Sequence, residues 1–384
     1  MLSPEFLQSI SQDLVELYTS METDLMTNIA RKLALNKEMF IDTVDKTRKV
    51  NEWQLERLKQ IKGLTLENAE IISKQSGVSV RIVNSIFERA LETGTKADET
   101  LIEQGVKAGI LNEIVPINES SRVLKALQLA KSTTLTTLNA VNKSILANCN
   151  KEYLIIVNKV TAKVVAGTQT VKEAMKHSVR ELANQGITSF TAKNGARWSS
   201  EAYISMLTSA NLKNMVNEVQ EQRITESGGD YIEINSYAGA RPKCSIDQGK
   251  IYSLCGSTKS IVDINGNKIT PLAWKSSTYG QPDGILGINC GHQRFIFIPG
   301  LSGFNREEIS QEENTKEYKE KQQQRFLERQ IRNSKRERAM LEETGVDSST
   351  INDIKNKIFV KQKELKNFIE ETGRTRIRAN EWIG

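Results

Sequence analysis

Proline and glycine are so unevenly spread along these 384 residues that they divide the chain before any other pattern is considered. Proline removes a backbone N–H and clashes with the preceding turn, so it is excluded from helix interiors, and glycine weakens them. Between Pro4 and Pro242 there is a single proline, Pro116, which leaves the first part of the chain free to form long helices. From Gly228 to Gly303 the chain gathers 12 of its 23 glycines and four of its six prolines, Pro242, Pro271, Pro282 and Pro299. Beyond Gly303 proline is absent and charge dominates. The expected fold is mainly α with a small α+β domain. A helical region occupies 1–223, a Gly/Pro-rich β-containing domain 224–304, and a charged helical hairpin or coiled-coil tail 305–384.

Hydrophobic spacing supports each assignment. Leu7, Ile10, Leu14, Leu17, Met21, Leu25 and Ile29 step by three and four, which lays one apolar stripe along a helix. A second helical pattern over Trp53, Leu55, Leu58 and Ile61 is expected to stop at Gly63. Thr65 and Ser79 then read as N-caps of Leu66–Gln75 and Arg81–Leu91. Further helices are expected over Ser121–Asn148, Asn150–Ala166, Thr170–Gln185 and Glu201–Gln222. In the glycine-rich part the period falls to two over Tyr231–Asn235, Lys250–Leu254, Ser260–Ile264, Lys268–Thr270 and Gln293–Ile298. Asn265-Gly266 between two of these runs marks a tight hairpin, whose centre needs positive φ. In the tail, Ile351, Ile354, Ile358, Leu365 and Phe368 follow a heptad, and Gly345 with Asp347-Ser348-Ser349 breaks the helix in two.

Several function classes are disfavoured. The net charge of +6 is the small difference of 53 basic and 47 acidic residues, so overall charge alone does not call for nucleic acid. Four cysteines, Cys149, Cys244, Cys255 and Cys290, are too scattered for a disulfide framework, and free thiols in a reducing cytosol are expected. The first residues lack a basic start followed by an apolar run, so no signal peptide is expected, and no membrane span is long enough. No P-loop spacing occurs. Asp263-x-Asn265-x-Asn267 begins like a calcium loop, but Lys268 and Trp274 stand where Gly and Glu are required.

The middle segment carries two longer strings. Tyr231-Ile-Glu-Ile-Asn-Ser-Tyr-Ala-Gly-Ala-Arg-Pro-Lys-Cys-Ser-Ile-Asp-Gln-Gly-Lys-Ile-Tyr252 and Tyr279-Gly-Gln-Pro-Asp-Gly-Ile-Leu-Gly-Ile-Asn-Cys-Gly-His292, with Pro299-Gly300 after them, resemble the phage minor capsid protein 2 family. Gly195-Ala-Arg-Trp198 and Glu201-Ala-Tyr203 through Met206 look like that family's helix ahead of the domain. The motif residues are Arg241, Pro242, Cys244, Gln248, Gly249, Lys250, Tyr252, Asn289, Cys290 and His292. The family usually has His where this chain has Tyr237, and Trp where it has Asp247. The resemblance implies a non-enzymatic, low-copy head protein of a tailed bacteriophage, acting near the portal in head assembly and in packaging or ejection. It implies the portal and other head proteins as partners and a virion location; synthesis in the bacterial cytoplasm and no membrane partner are expected from the missing signal peptide and apolar span, and no small-molecule substrate is expected.

Within the domain, Cys290 and His292 are two apart and share a face if extended. Cys244 and Cys255 could complete a Cys₃His zinc site, although structural zinc sites usually space their cysteines more closely. Ordinary packing of buried thiols, zinc ligation and a disulfide stay open, in that order; otherwise no cofactor is expected. A thiol enzyme using Cys290 and His292 lacks an orienting third group. An ADP-ribosyltransferase-like enzyme would need a paired catalytic Glu, and Glu233 stands alone between Asp230 and Gly303. His177 is expected on a helix surface. Arg197-Trp198 and Arg241-Pro242 read as fold staples, Trp198 in a core and Arg241 in an ion pair or on a carbonyl.

The tail segregates its charge, with Glu307, Glu308, Glu312, Glu313, Glu317 and Glu320 ahead of Lys321, Arg325, Arg329, Arg332, Lys335, Arg336 and Arg338. A self-stabilised solvated helix is one reading. Arg325, Arg329, Arg332 and Arg336 also fall on one face, a stripe that could dock an acidic portal surface or packaged DNA. The alternative to a structural head protein is therefore a virion DNA-binding or injected protein. The tail is expected to be a separable docking arm.

Overall fold

The computed structural model describes residues 4–34, 45–191, 195, 197–281, 283–287, 290–304 and 309–383. Asn289, Pro282, Ala196, Glu307 and Glu308 lie outside the described residues. The helices are α1 (Pro4–Leu33), α2 (Lys46–Lys59), α3 (Ile61–Lys107), α4 (Ser121–Val165), α5 (Val171–Gln185), α6 (Ser200–Glu226), the short α7 (Pro242–Ser245), α8 (Gln311–Glu343) and α9 (Ser348–Thr372). The strands are β1 (Thr188–Thr191), β2 (Arg197–Ser199), β3 (Tyr231–Ile234), β4 (Ile251–Ser253), β5 (Ile261–Val262), β6 (Lys268–Ile269), β7 (Leu272–Ala273) and β8 (Arg294–Phe297). The fold is mainly α with a small α+β part. Two compact units interleave the three sequence segments. One comprises Met1–Gln12, Arg81–Thr136 and Ser205–Gln322, and the other Asp13–Val80, Thr137–Ile204 and Gln323–Gly384.

The first unit is built on a four-stranded sheet of order β7-β4-β3-β8. Strand β3 pairs antiparallel with β4 and β8, and β4 pairs parallel with β7. Alternation along the strands gives the sheet two faces. Ile232 and Ile234 of β3, Tyr252 of β4 and Ile296 of β8 pack with Ile102 of α3, Ile224 of α6, Cys244, Trp274, Ile285 and Cys290. Tyr231, Ile251 and Phe297 meet Ile261, Ile269 and Phe304 on the other face. Each such aliphatic burial contributes roughly 1.5–3 kcal/mol. The expected hairpin is present as β5–β6. Gly266 has φ +84°, and the Asp263 carboxylate accepts from the backbone N–H groups of Asn265 and Asn267 at 2.9 and 2.8 Å. This is an Asx-type turn in place of a calcium loop.

In the second unit, several helix boundaries differ from expectation. Gly63 does not end a helix, and α3 runs unbroken through Gly63 and Gly77. Thr65 Oγ1 donates to the Ile61 carbonyl (2.8 Å) and Ser79 Oγ to the Ser76 carbonyl (2.7 Å), so neither acts as an N-cap. A glycine costs a helix about 1 kcal/mol, less than burial of Leu64 and Ile72 returns. Helix α4 likewise passes through Asn148-Cys149-Asn150, because Cys149 is buried and the flanking amides bond outward, Asn148 to the Thr188 carbonyl and Asn150 to Thr65. Thr170 caps α5 with Glu173 in a reciprocal capping box, and His177 is exposed as expected. The β1–β2 hairpin was not anticipated. Arg197-Trp198, read as leading into a helix, is strand β2, with Trp198 half-buried and Arg197 bonded to Thr188 Oγ1 (2.7 Å) and Glu152 (2.7 Å).

The tail does form two helices, with Asp347 capping α9 and Gly345 at φ +71° in the turn. Leu327 and Ile331 of α8 pack with Leu365, Phe368 and Ile369 of α9. The basic stripe, however, is not one exposed surface. Arg325 and Arg329 are exposed, whereas Arg332 and Arg336 are buried. Arg332 pairs with Glu201 of α6 (2.6 Å) and Arg336 with Glu22 of α1 (3.2 Å). Glu337, also buried, holds Arg180 (2.5 Å) and Lys357 (2.9 Å). The tail is core on its charged side too, which a one-sided hydrophobic pattern does not reveal, so the separable arm is incorrect. Arg336→Ala leaves the fully buried Glu22 carboxylate without its cation and is expected to cost about 3–5 kcal/mol in a urea melt. Truncation after Phe304 is expected to abolish the cooperative melt of this unit, as followed by circular dichroism.

Candidate functional site

The motif strings converge in the first unit because β3 is the central neighbour of both β4 and β8. The first string leaves β3, forms the one-turn α7 and returns as β4; the second ends where β8 begins. Pro242 opens α7 at its first turn, where a missing N–H costs nothing. Gly249 takes φ +63° so that its N–H reaches the Ile234 carbonyl at 2.9 Å and starts the β3–β4 pairing. Asn314 of α8 clasps the loop between β3 and α7, accepting from Ala240 N (2.7 Å) and donating to Ala240 O (2.8 Å).

Cys244, Cys290 and His292 are all buried, and their two Sγ atoms and a His292 ring nitrogen lie within 4.8 Å of one another. Cys290 Sγ sits 3.3 Å from His292 Nδ1 and accepts the Leu286 N–H at 3.2 Å. His292 Nε2 lies 3.0 Å from Gln248 Oε1, an acceptor, which places the ring proton on Nε2 and turns the Nδ1 lone pair toward the sulfurs. Arg241 Nη2 donates to Cys244 Sγ at 3.3 Å rather than to a carboxylate or carbonyl. The Cys244 thiol has the Gly284 carbonyl at 3.4 Å. Cys255 takes no part: it is exposed, with its sulfur 3.4 Å from Ser253 Oγ. Lys250 contributes backbone pairing, and Tyr252 belongs to the core, its hydroxyl donating to Asp247 (2.6 Å).

Charge is tuned around the sulfurs. Hydrogen bonding from the Cys244 thiol draws the Cys290 thiol below its ordinary range. Cys244 moves upward for the reciprocal reason, reinforced by burial. Lys213 of α6, which sequence reasoning missed, donates its Nζ to the Cys290 carbonyl. Burial pushes that amine down to about 8. Nothing in the spacing of α6 marks Lys213, because its partner is a backbone atom 77 residues away. A thiol–imidazole pair could in principle act as a nucleophile. Cys290 is only 2% exposed, however, which suits a ligand or a packing atom and offers a substrate no approach.

The model of the family described as Phage minor capsid protein 2 matches residues 2–370. This chain belongs to that family. A structural protein of Lactococcus phage LL-H is 28% identical over 309 residues, covering 78% of this chain and 80% of the relative. A structural protein of Lactococcus phage mv4 is 33% identical over 67 residues, 17% of this chain and 54% of that protein. No solved structure matches the chain. The two departures from the minor capsid protein 2 pattern have defined places here. The Tyr237 ring lies 4.7 Å from the His292 ring, and burial raises its hydroxyl above the ordinary range. Asp247 is buried and accepts from Tyr252 Oη, Thr278 N (3.0 Å) and Thr278 Oγ1, fastening the loop that carries Gly284 and Leu286.

Gly291, between the two ligand-type residues, has no room for a side chain: a Cβ there would lie 2.1 Å from Tyr237 Oη. Gly291→Ala is therefore expected to destabilise the chain by about 2 kcal/mol or more, in the range of overpacking. Adding Tyr237→Ala should recover part of that loss in a denaturant-melt double-mutant cycle.

Proposed function

We propose that this protein is a low-copy structural component of a tailed-phage head, located in the virion and acting near the portal during head assembly. Its partners are the portal and other head proteins, and it carries no catalysis. The observation that supports this reading most is the family match across almost the whole chain, helical regions included, since a grafted enzyme would share only part of it. The burial of Cys290 and His292 supports it from the chemical side. Glu233 is half-buried and burial raises its carboxyl to about 7, a shift with no paired carboxylate to use it.

The DNA-binding alternative loses its main support with the stripe. Two of its four arginines are neutralised inside the fold, leaving Arg325 and Arg329 on the exposed face. Few phosphate contacts imply a shallow salt dependence.

Mass spectrometry of purified heads and virions is expected to find the chain far below major-capsid abundance, with cross-links to the portal. Absence from both particles would sink the assembly role. DNA affinity falling steeply with added salt would restore the genome-binding reading.

A further inference from the structure

We propose that Cys244 Sγ, Cys290 Sγ and His292 Nδ1 form a zinc site, with the Gly284 carbonyl as the fourth donor. Among the described residues this is the one place where three metal-ligating side chains converge. The donor set is right for zinc, which takes thiolate sulfur and neutral imidazole nitrogen in tetrahedral array.

The spacing fits as well. Zinc–sulfur bonds of ~2.3 Å with zinc–nitrogen or zinc–oxygen bonds of ~2.1 Å give a tetrahedron with edges of about 3.6 Å. The Cys290–His292 separation is 3.3 Å, and the separation of Cys244 Sγ from the Gly284 oxygen is 3.4 Å. Both approach that edge, and the remaining separations among the three side-chain donors, at most 4.8 Å, would close to it on binding.

A second observation, independent of the cluster, is how His292 is held. Ligating histidines donate their remote N–H to a fixed acceptor, which sets the tautomer and aims the other nitrogen at the metal. Gln248 Oε1 does this for His292 at 3.0 Å. The donor loop is equally constrained: a Cβ on Gly284 would lie 1.9 Å from the Thr278 carbonyl oxygen, so only glycine places this carbonyl here. Thr278 is itself anchored by Asp247. The charges also balance, because two thiolates neutralise the dication while Arg241 keeps its hydrogen bond to a metal-bound sulfur. The site differs from the sequence expectation by excluding Cys255, which is exposed and bonded elsewhere.

The test uses the full chain, kept reduced, stripped with a chelator and then given Zn²⁺ alone. The expected result is about one zinc per chain surviving gel filtration, with a rise in Tm of about 5 °C. Co²⁺ in its place should give a thiolate-to-cobalt charge-transfer band. Cys255→Ser should bind as the wild type does. Cys290→Ser should lose the charge-transfer intensity of one sulfur, and Gln248→Leu should weaken binding by about 10-fold or more, since it touches only the orienting bond. Wild-type protein retaining less than about 0.2 zinc per chain with an unmoved Tm would overturn the proposal, as a structural zinc contributes directly to folding. Wild-type charge-transfer intensity in folded Cys290→Ser would overturn it too. Should Cys290→Ser fail to fold, the wild-type titration and Gln248→Leu decide the matter.

Discussion

Strand β8 lies at the edge of its sheet, and an edge buried under helices must find partners for the backbone groups on its open side. Two side chains supply them. Asp98 of α3 accepts the Ile296 N–H at 3.0 Å, and Gln220 of α6 donates to the Arg294 carbonyl (3.2 Å) while also bonding Asp98 (2.5 Å). Arg294, fully buried, reaches back to α6 through the Asn217 carbonyl and Glu221. Burial raises the Asp98 carboxyl to about 6, so these bonds are made against a desolvation cost. With the edge closed, the segment that brings Cys290 and His292 into β8 is tied to the end of β3, where Asn235 N donates to the Gln293 carbonyl (3.2 Å) and Asn235 Oδ1 accepts from Gln293 N (2.7 Å).

The second unit relies on the same principle with charge in place of backbone. Glu22 in α1 is fully buried and accepts both the Arg336 guanidinium and the Ile187 N–H. Burial raises its carboxyl, with Arg336 opposing that shift most strongly. Gly186 is confined by that carboxylate, its would-be Cβ 2.5 Å from Glu22 Oε1. A buried ion pair is a poor source of net stability but a demanding one to break, because a lone charge remains. It therefore specifies which part of α8 meets α1 in this unit.

The candidate site was partly legible in the linear chain. Cys290 and His292 were visible as a pair because a two-residue spacing survives in extended backbone. Cys244 entered through the motif string, and its proximity to them is a property of β3 lying between β4 and β8. Cys255 shared the composition but not the fold position. Lys213 and Gln220 gave no advance notice, since their partners, the Cys290 and Arg294 carbonyls and the Asp98 carboxylate, lie far away in sequence.

What the residues determined by themselves were the periods and the punctuation: the apolar stripe of α1, the Asn265-Gly266 turn, the capped start of α5 and the split between α8 and α9. These depend on local sterics and on side chains a few residues apart, which a linear chain contains in full. Tertiary structure decided where helices refused to stop and which charges went inside. Gly63 and Asn148-Cys149-Asn150 carry local signals for an ending, and burial of the surrounding stripes outweighs them. Arg332 and Arg336 are indistinguishable from Arg325 and Arg329 in sequence. Only the arrival of Glu22 and Glu201 from distant helices makes them core residues, because a guanidinium is buried at tolerable cost where an opposite charge is there to pair with it.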